Sequence, residues 1–341
     1  MNLKQLSELL GLSQTTISRA LNGYPEVNAE TRQKVMQVAA ETGYRPNRAA
    51  RRLATGKAGS LGLVMPISDE QPADMHFAEF QSGLADECLK HDFHFVIMPA
   101  HPQREEQAIR DLVNSGSVDA YYLAYMRARD PRIDMAKSLA LPFIVHGRSL
   151  GIAEDYPFLD VDNEDAFDAA ARHLLALGHR RFGLINGPGD LDFACRRQIG
   201  VERALADRGL RLEPEACSNT VMSDANGYVQ MTRLLRLDPR PTAILCASTV
   251  LALGAVRAVR EAGLQMGRDI SLIAHDDDLM LLKPEHFSTP LTTTRSSLRE
   301  AGRRIAARLI AAVTEPETVM PQQELWKAEL DIRASTGPAP P

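Results

Sequence analysis

The sequence predicts a small all-α head followed by a larger α/β body of two lobes built on parallel sheets. Three observations carry this reading. The first thirty-odd residues resolve into short, capped, amphipathic helices joined by a tight turn. From Gly59 onward, short apolar runs of strand length alternate with helical stretches. That alternation runs through twice, before and after Asp160, and repeated strand–helix order builds parallel sheets covered by helices. A chain of 341 residues is long enough for a small domain plus a bilobed one.

Met1 to Asn22 reads as two helices. Asn2 with Gln5 three residues on is a capping-box start. Leu3, Leu6, Leu9 and Leu10 form one apolar face, Gly11 breaks the helix, and Ser13 can cap the next. In that second helix Ile17, Ala20 and Leu21 face inward, while Gln14, Thr15, Thr16, Ser18 and Arg19 present hydrogen-bonding groups. This is helix-turn-helix geometry, with a second helix shaped to enter a DNA major groove. Gln pairs with adenine edges and Thr with several bases, so Gln14 and Thr15 are expected to reach base edges. Ser13, Thr16, Arg19 and Asn22 are expected to hold phosphates or a guanine edge, with Arg19 the best guanine reader. The bland alternative for this row is an exposed polar helix face.

Asn28 can cap a third helix, in which Val35, Val38 and Ala39 recur at helical spacing until Gly43 ends it. The run from Tyr44 to Gly56 is basic. Pro46 disfavours helix at Arg45, and Asn47 can restart one. The product is a helix too short to be stable alone in water, and a marginal helix between two domains invites folding on binding. The expected boundaries are a helix-turn-helix domain at 1–46, a hinge helix and linker at 47–59, a two-lobed domain at 60–333 and a disordered tail at 334–341.

Charge follows the same division. The formal net charge is -5, but residues 1–59 hold nine Lys/Arg against four acids, a net of +5 that leaves -10 on the remainder. A basic head on an acidic body suits phosphate binding by the head alone. The four cysteines, Cys88, Cys195, Cys217 and Cys246, form no CxxC pair and read as incidental thiols in a reducing cytoplasm. The N-terminus is a capped amphipathic helix without the cationic start and apolar core of a signal peptide. No run approaches the ~20 apolar residues of a membrane span. A cytoplasmic protein is expected.

In the body, strands are expected at Leu61–Met65, His94–Met98, Ala120–Leu123 and Phe143–Val145, with helices at Phe77–Leu89, Arg104–Val113 and Ile133–Leu139. After Asp160 come helix Ala166–Leu177, strand Phe182–Ile185, helix Arg197–Asp207, strand Ala243–Cys246, helix Leu251–Ala262 and strand Ile270–Ile273, with a last strand near Leu325–Ile332. Two such rounds imply two similar lobes with a cleft between them, and ligands in open α/β sheets sit beyond the carboxyl ends of the strands. Arg197 and Asp276 each follow a predicted strand end. An Arg plus an Asp can grip vicinal hydroxyls of a sugar; the alternative is a structural salt bridge.

The run Thr16-Ile17-Ser18-Arg19-Ala20-Leu21-Asn22, with Val27, Thr31-Arg32, Gly43-Tyr44-Arg45-Pro46-Asn47, Ala50 and Leu53, resembles the lactose-repressor (LacI/GalR) family of bacterial transcription regulators. The resemblance continues through Asp162-Asn163, His173-Leu174, Gly178-His179-Arg180-Arg181, Arg197-Gln198-Ile199-Gly200, Asp269-Ile270-Ser271, His275-Asp276-Asp277 and Pro290-Leu291-Thr292-Thr293, the last as the final crossover between lobes. It implies a body like a periplasmic sugar-binding protein, with three crossings. It implies a homodimer on palindromic operator DNA, without the leucine-heptad tail of tetrameric members. It also implies a small-molecule effector, a mono- or disaccharide, in the cleft.

The resemblance extends to single residues. Leu53 matches a leucine that wedges into the minor groove and kinks the duplex, with Ala50 small enough for close approach; ordinary interdomain packing is the alternative. Asn28, Tyr44, Asn47, Arg48 and Arg51 complete the expected DNA contacts. The expected effector site is Phe77, Arg148, Arg197, Met222, Ser248, Asp276 and Leu298, although a core role is open for Phe77. Two departures stand out. Ser248-Thr249 follow the strand Ala243–Cys246 where the family usually has Asn-Asp, and His275 stands where an aromatic is usual.

No metal or other cofactor is expected: of the nine histidines, His91, His94 and His101 lie nearest one another, but His94 falls in a strand read as buried and His91 in the turn before it. Gly187-Pro188-Gly189 is followed by Asp192 where a dinucleotide fingerprint needs glycine, and no GxSxG elbow, P-loop or HExxH occurs, so an enzyme is not expected. The reading is a sequence-specific DNA-binding regulator, a repressor of carbohydrate uptake or catabolism genes. The rivals are a stand-alone sugar-binding protein and an α/β enzyme on a sugar or nucleoside.

Overall fold

A computed structural model describes residues 1–21, 23–44, 56–67, 75–317 and 322–341. The chain forms two units, Met1–Gly59 and Ser60–Pro341. In the first, helix α1 (Leu3–Leu10) starts at a reciprocal cap: Gln5 N donates to Asn2 Oδ1, and Asn2 N to Gln5 Oε1, both at 2.9 Å. Gly11 ends it in the left-handed region, φ 65°, a conformation that costs glycine nothing. Ser13 Oγ then accepts Thr16 N at 3.0 Å and opens α2 (Gln14–Leu21). Asn28 Oδ1 accepts Thr31 N at 2.8 Å to open α3 (Ala29–Glu41). Leu6, Ile17, Ala20 and Val35 are fully buried between the three helices. Leu9 is not part of that buried face: it is 59% exposed, on the edge of the stripe that Leu6 centres. Arg32 Nη2 donates to the carbonyls of Gly23, Tyr24 and Val27, so this cation holds the loop between α2 and α3.

The second unit has two lobes, each a six-stranded sheet. The first lobe takes β1 (Ser60–Pro66), α4 (Met75–Lys90), β2 (His94–Ala100), α5 (Glu105–Asn114), β3 (Ala120–Leu123), α6 (Arg132–Ser138), β4 (Phe143–His146) and β5 (Phe158–Val161). The second takes α7 (Asn163–Ala176), β6 (Phe182–Asn186), α8 (Asp192–Ala206), β7 (Cys217–Asn219), α9 (Asp224–Leu235), β8 (Ala243–Cys246), α10 (Thr249–Glu261), β9 (Ser271–Asp276) and β10 (Thr292–Arg295). Helix α11 (Leu298–Thr314) and β11 (Gln323–Trp326) return to the first lobe, and β12 (Glu329–Asp331) closes the second. The strand orders are β11-β5-β4-β3-β1-β2 and β12-β10-β9-β8-β6-β7. All pairings are parallel except β10 with β12.

Both faces of each sheet are covered, which explains the continuous apolar runs of β3 and β8. In the first lobe Phe80 and Leu84 of α4 and Ile305 and Leu309 of α11 pack on one face; Ile109 and Leu112 of α5 and Ile133 of α6 pack on the other. The helix pairs approach closely at glycines. A Cβ on Gly200 would meet Glu164 O at 2.1 Å, so only glycine lets α8 lie this near α7.

Several expectations need correction. The final crossing is Trp326 to Glu329; Pro290–Thr293 lies wholly in the second lobe, and the chain leaves that lobe only after Arg295. The single last strand is two strands, one in each sheet. Helix α8 begins five residues before Arg197, at Asp192. His94 is exposed, because β2 is an edge strand. Elements β5, β7, β10, α9 and α11 have no counterpart in the sequence reading; α9 carries only Met231, Leu234 and the close-packed Gly227 inward. The tail is also ordered in the structure. Ser335 is buried, accepts Thr292 N at 2.8 Å and donates to Leu272 O at 2.6 Å, while Ala339 N donates to Leu177 O at 2.9 Å. The unsatisfied backbone beside β9 and β10 explains why this segment docks.

Candidate functional site

The head carries a shallow concavity of about 230 Å³ lined by Ser13, Thr15, Thr16, Arg19, Glu26, Val27, Asn28 and Thr31. The capping residues of α2 and α3 both open onto it, so two helix N-termini aim their backbone N–H groups at one place. Such an arrangement favours an anion. Ser13 Oγ and Thr16 Oγ1 lie 2.8 Å apart on its rim. Gln14, Thr15 and Arg19 are exposed. Tyr44 packs half-buried against the small core, and burial pushes its hydroxyl pKa up. Asn22, Asn47, Arg48, Ala50, Arg51 and Leu53 lie outside the described residues.

The body holds a cleft between its lobes, a cavity of about 160 Å³. Its position follows from the parallel sheets: the carboxyl ends of β3, β4, β5 and β9 all contribute to the wall. One side is aromatic, with Phe77 and Phe80 from α4 and Tyr122 and Tyr125 from the end of β3. Leu298, from the start of α11, adds to it.

Opposite stands Arg197 on α8. It is 5% exposed, and its guanidinium lies over the rings of Phe193 and Phe167, 4.8 and 5.1 Å from the centroids. Nε donates to Asn163 Oδ1 at 2.7 Å and Nη1 to Ala247 O at 2.5 Å. Burial lowers its pKa to about 10, so it stays cationic at neutral pH. Among the described residues Nη2 has no partner.

The carboxylates of the cleft are held by the protein. Asp277 lies between His76 of the first lobe (Nε2–Oδ2 3.3 Å) and His275 (Nε2–Oδ1 3.5 Å). Burial alone would raise its pKa, but His275 and His76 hold it well below the carboxylate range. His275 is pinned in turn by Thr294 Oγ1 at 2.9 Å and Ser296 Oγ at 3.1 Å. Burial, then the Arg197 charge, lower the His275 pKa. Asp160 pairs with Arg148 (Nε–Oδ2 2.9 Å), yet burial lifts it to about 6. Asp192 accepts Leu150 N at 2.5 Å and pairs with Arg196 at 2.6 Å. The Leu150, His76 and Asp277 contacts join the two lobes across the cleft, as does Met280 N donating to Glu79 Oε2 at 3.2 Å.

Phe77, Arg148, Arg197, Met222 and Leu298 line the cavity. Asp276 and Ser248 do not. Asp276 ends β9 and accepts Asp278 N at 2.9 Å; alternation along the strand turns the next residue, Asp277, into the cleft. Ser248 caps α10, its Oγ accepting Leu251 N at 3.2 Å. His76, Phe80, His146, Asn163, Phe193 and Asp277 are cavity residues missed by the sequence reading. Asn163 and Asp277 sit in motifs quoted above; His146, one residue beyond Val145 at the end of a predicted strand, could have been found by the strand-end rule. Among the described residues, no group of His, Cys, Asp and Glu could hold a metal ion, and no helix is long and apolar enough to cross a membrane.

A three-helix DNA-reading head and a two-lobed ligand-binding body together define an effector-controlled regulator of transcription. Residues 2–47 match the profile of bacterial regulatory proteins of the lacI family, and 171–336 that of a periplasmic binding protein-like domain. The chain is 62% identical over 339 residues to the HTH-type transcriptional regulator AglR of Rhizobium meliloti (strain 1021), covering 99% of this chain and 95% of that protein. It is 28% identical to CelR of Thermobifida fusca over 98% of this chain and 97% of CelR. Among solved structures it is similar to the lac repressor dimer bound to operator and the anti-inducer ONPF (TM-score 0.82, 25% identity, 98% and 99% covered). A CelR–cellobiose complex also matches (TM-score 0.71, 26% identity, 98% and 99% covered). The chain belongs to the LacI family of bacterial transcriptional regulators; it is a DNA-binding regulator and not an enzyme.

Proposed function

We propose that this protein is a cytoplasmic repressor of carbohydrate uptake or catabolism genes, released from or fixed on a palindromic operator by a neutral mono- or disaccharide in the interlobe cleft. The observation that carries the effector class is Arg197. It is a buried cation with one free nitrogen, facing an aromatic wall, in a cavity whose carboxylates already have partners. A sugar offers hydroxyls to the guanidinium and an apolar C–H face to the rings, and it brings no charge to be desolvated. Arg197 and Phe77 are the principal contacts of this reading, with Asp277 in the role first expected of Asp276; Arg148, Met222 and Leu298 shape the pocket.

At the DNA end, Gln14, Thr15 and Arg19 read bases, while Ser13, Thr16 and Asn28 hold a phosphate at the paired helix N-termini. The hinge residues Asn47, Arg48, Ala50, Arg51 and Leu53, with Asn22 and Tyr44, complete the contacts. A homodimer fits a palindromic site; the lac repressor relative is a dimer on its operator, and here Met280 and Leu281 are exposed apolar residues, 61% and 85% accessible. The sugar shifts the populations of two lobe arrangements that differ in operator affinity.

The test pairs a thermal-shift screen of neutral mono- and disaccharides with a gel-shift on operator DNA. A sugar that stabilises the protein and also changes operator affinity is the expected result. If sugars leave both readouts unmoved while a charged metabolite changes them, the effector class is wrong.

A further inference from the structure

The cleft holds three imidazoles, and the protein uses them differently. His275 is bound by Thr294 and Ser296, and both His275 and His76 face Asp277. His146, at the carboxyl end of β4, lines the same cavity and stacks on Phe80 with ring centroids 4.4 Å apart at 18°. Among the described residues neither of its ring nitrogens has a hydrogen-bond partner, and neither is sealed off from the cavity. Buried polar nitrogens are almost always bonded to something. An imidazole fixed by its stack and left unbonded on a cavity wall is therefore a group kept for whatever fills the cavity.

The chemistry of that partner follows from the surroundings. Burial drives the His146 pKa down to about 4, so the ring is neutral at any physiological pH and offers one donor and one acceptor. Nearby Asp277 disfavours an anionic ligand group here, and the Arg197 guanidinium lining the same cavity disfavours a cationic one. A hydroxyl, able to donate or accept, matches either ring nitrogen.

We infer that His146 is a specificity-determining residue of the cleft, hydrogen-bonding one hydroxyl of the effector through a ring nitrogen while Phe80 holds the ring in place. This rests on the sugar reading of the cleft. A site built to bond a hydroxyl rejects the analogue that lacks it more strongly than an apolar pocket discriminates by size.

The variant His146→Phe keeps a ring against Phe80 and removes both nitrogens. Titration calorimetry would follow the full-length protein with cellobiose, maltose, sucrose, lactose, glucose and galactose, and then with monodeoxy analogues of the tightest binder. His146→Phe is expected to weaken that sugar about 10–100-fold. One monodeoxy analogue, penalised in the wild type, is expected to bind the variant as well as its parent does, the mark of direct coupling. His146→Gln is expected to regain part of the loss. Unchanged operator affinity without sugar shows that the variants are folded. Wild-type affinity in a folded His146→Phe, or deoxy penalties that all persist in it, overturns the inference and leaves the sugar reading intact. A wild-type protein indifferent to every sugar overturns both.

Discussion

The head and the cleft handle charge in opposite ways. On the recognition face, Gln14, Thr15 and Arg19 stand exposed, and two capped helix N-termini converge on one concavity. In the cleft, Asp160, Asp192 and Asp277 already hold cationic or imidazole partners, and Arg197 is buried between two rings. On the proposed function the difference tracks the ligand. A polyanion brings its own charge and is met by groups left open to water, whose attraction salt screens. A neutral ligand has no charge to offer, so the protein must balance its own before the ligand arrives.

The largest effect that would sharpen this contrast is expected from Arg197→Ala. Sugar affinity should fall by about 3 kcal/mol, more than a hundredfold, while the sugar-free protein still shifts operator DNA. A variant that still responds to sugar at wild-type concentrations would remove Arg197 from the site. Salt comes next. Operator affinity should drop roughly a hundredfold between 50 and 200 mM salt, the slope of about four phosphate contacts, whereas sugar affinity should barely move. Fluorescence anisotropy on one side and calorimetry on the other read the two slopes, and equal slopes would break the comparison.

Arg19→Ala should then cost about 1–3 kcal/mol of specific binding and relax discrimination at one base position, measured with single-base operator variants. Uniform weakening across all variants would assign Arg19 to phosphate instead. Asn28→Ala should lower head stability by about 1 kcal/mol through loss of the α3 cap, seen by urea unfolding of the full chain.

The remaining effect concerns acid. His146 has its folded pKa, about 4, below the unfolded value near 6.5. The unfolded chain therefore takes up the proton first as pH falls. The stability linked to this group is complete above about 6.5 and is lost on acidification toward 4. His146→Phe should be less acid-sensitive than wild type across that window; parallel melting curves at each pH would refute the assignment.

How much was legible depended on whether the signal was local. Asn2 with Gln5, Gly11, Ser13 and Asn28 act within four residues of themselves, and the structure has all of them where the caps and breaks predict. The strands β1, β3 and β8 were legible because burial on both faces leaves an unbroken apolar run. Helix α9 was not: one of its three buried positions is close backbone contact at Gly227 rather than a large side chain. At the cleft, Arg197 was found from its place after a strand. Asp276 was chosen over Asp277 because a one-residue choice at a strand end decides which face a side chain takes, and composition carries no sign of it. His146 and His76 come from separate elements of the first lobe, and only the folded sheet and helix bring them to the same cavity as Asp277.

Both sheets of the body depend on residues from the far end of the chain. Gln323–Trp326 supply an edge strand to the first lobe, and Glu329–Asp331 with Ser335 secure the second. During synthesis the head is complete after its first 59 residues. At about 5–20 residues per second, the ribosome needs roughly another 14–56 s to deliver residues 60–341. For that interval the nascent chain carries the helices of the head and no finished ligand cleft, so the cleft is completed well after the DNA-facing helices.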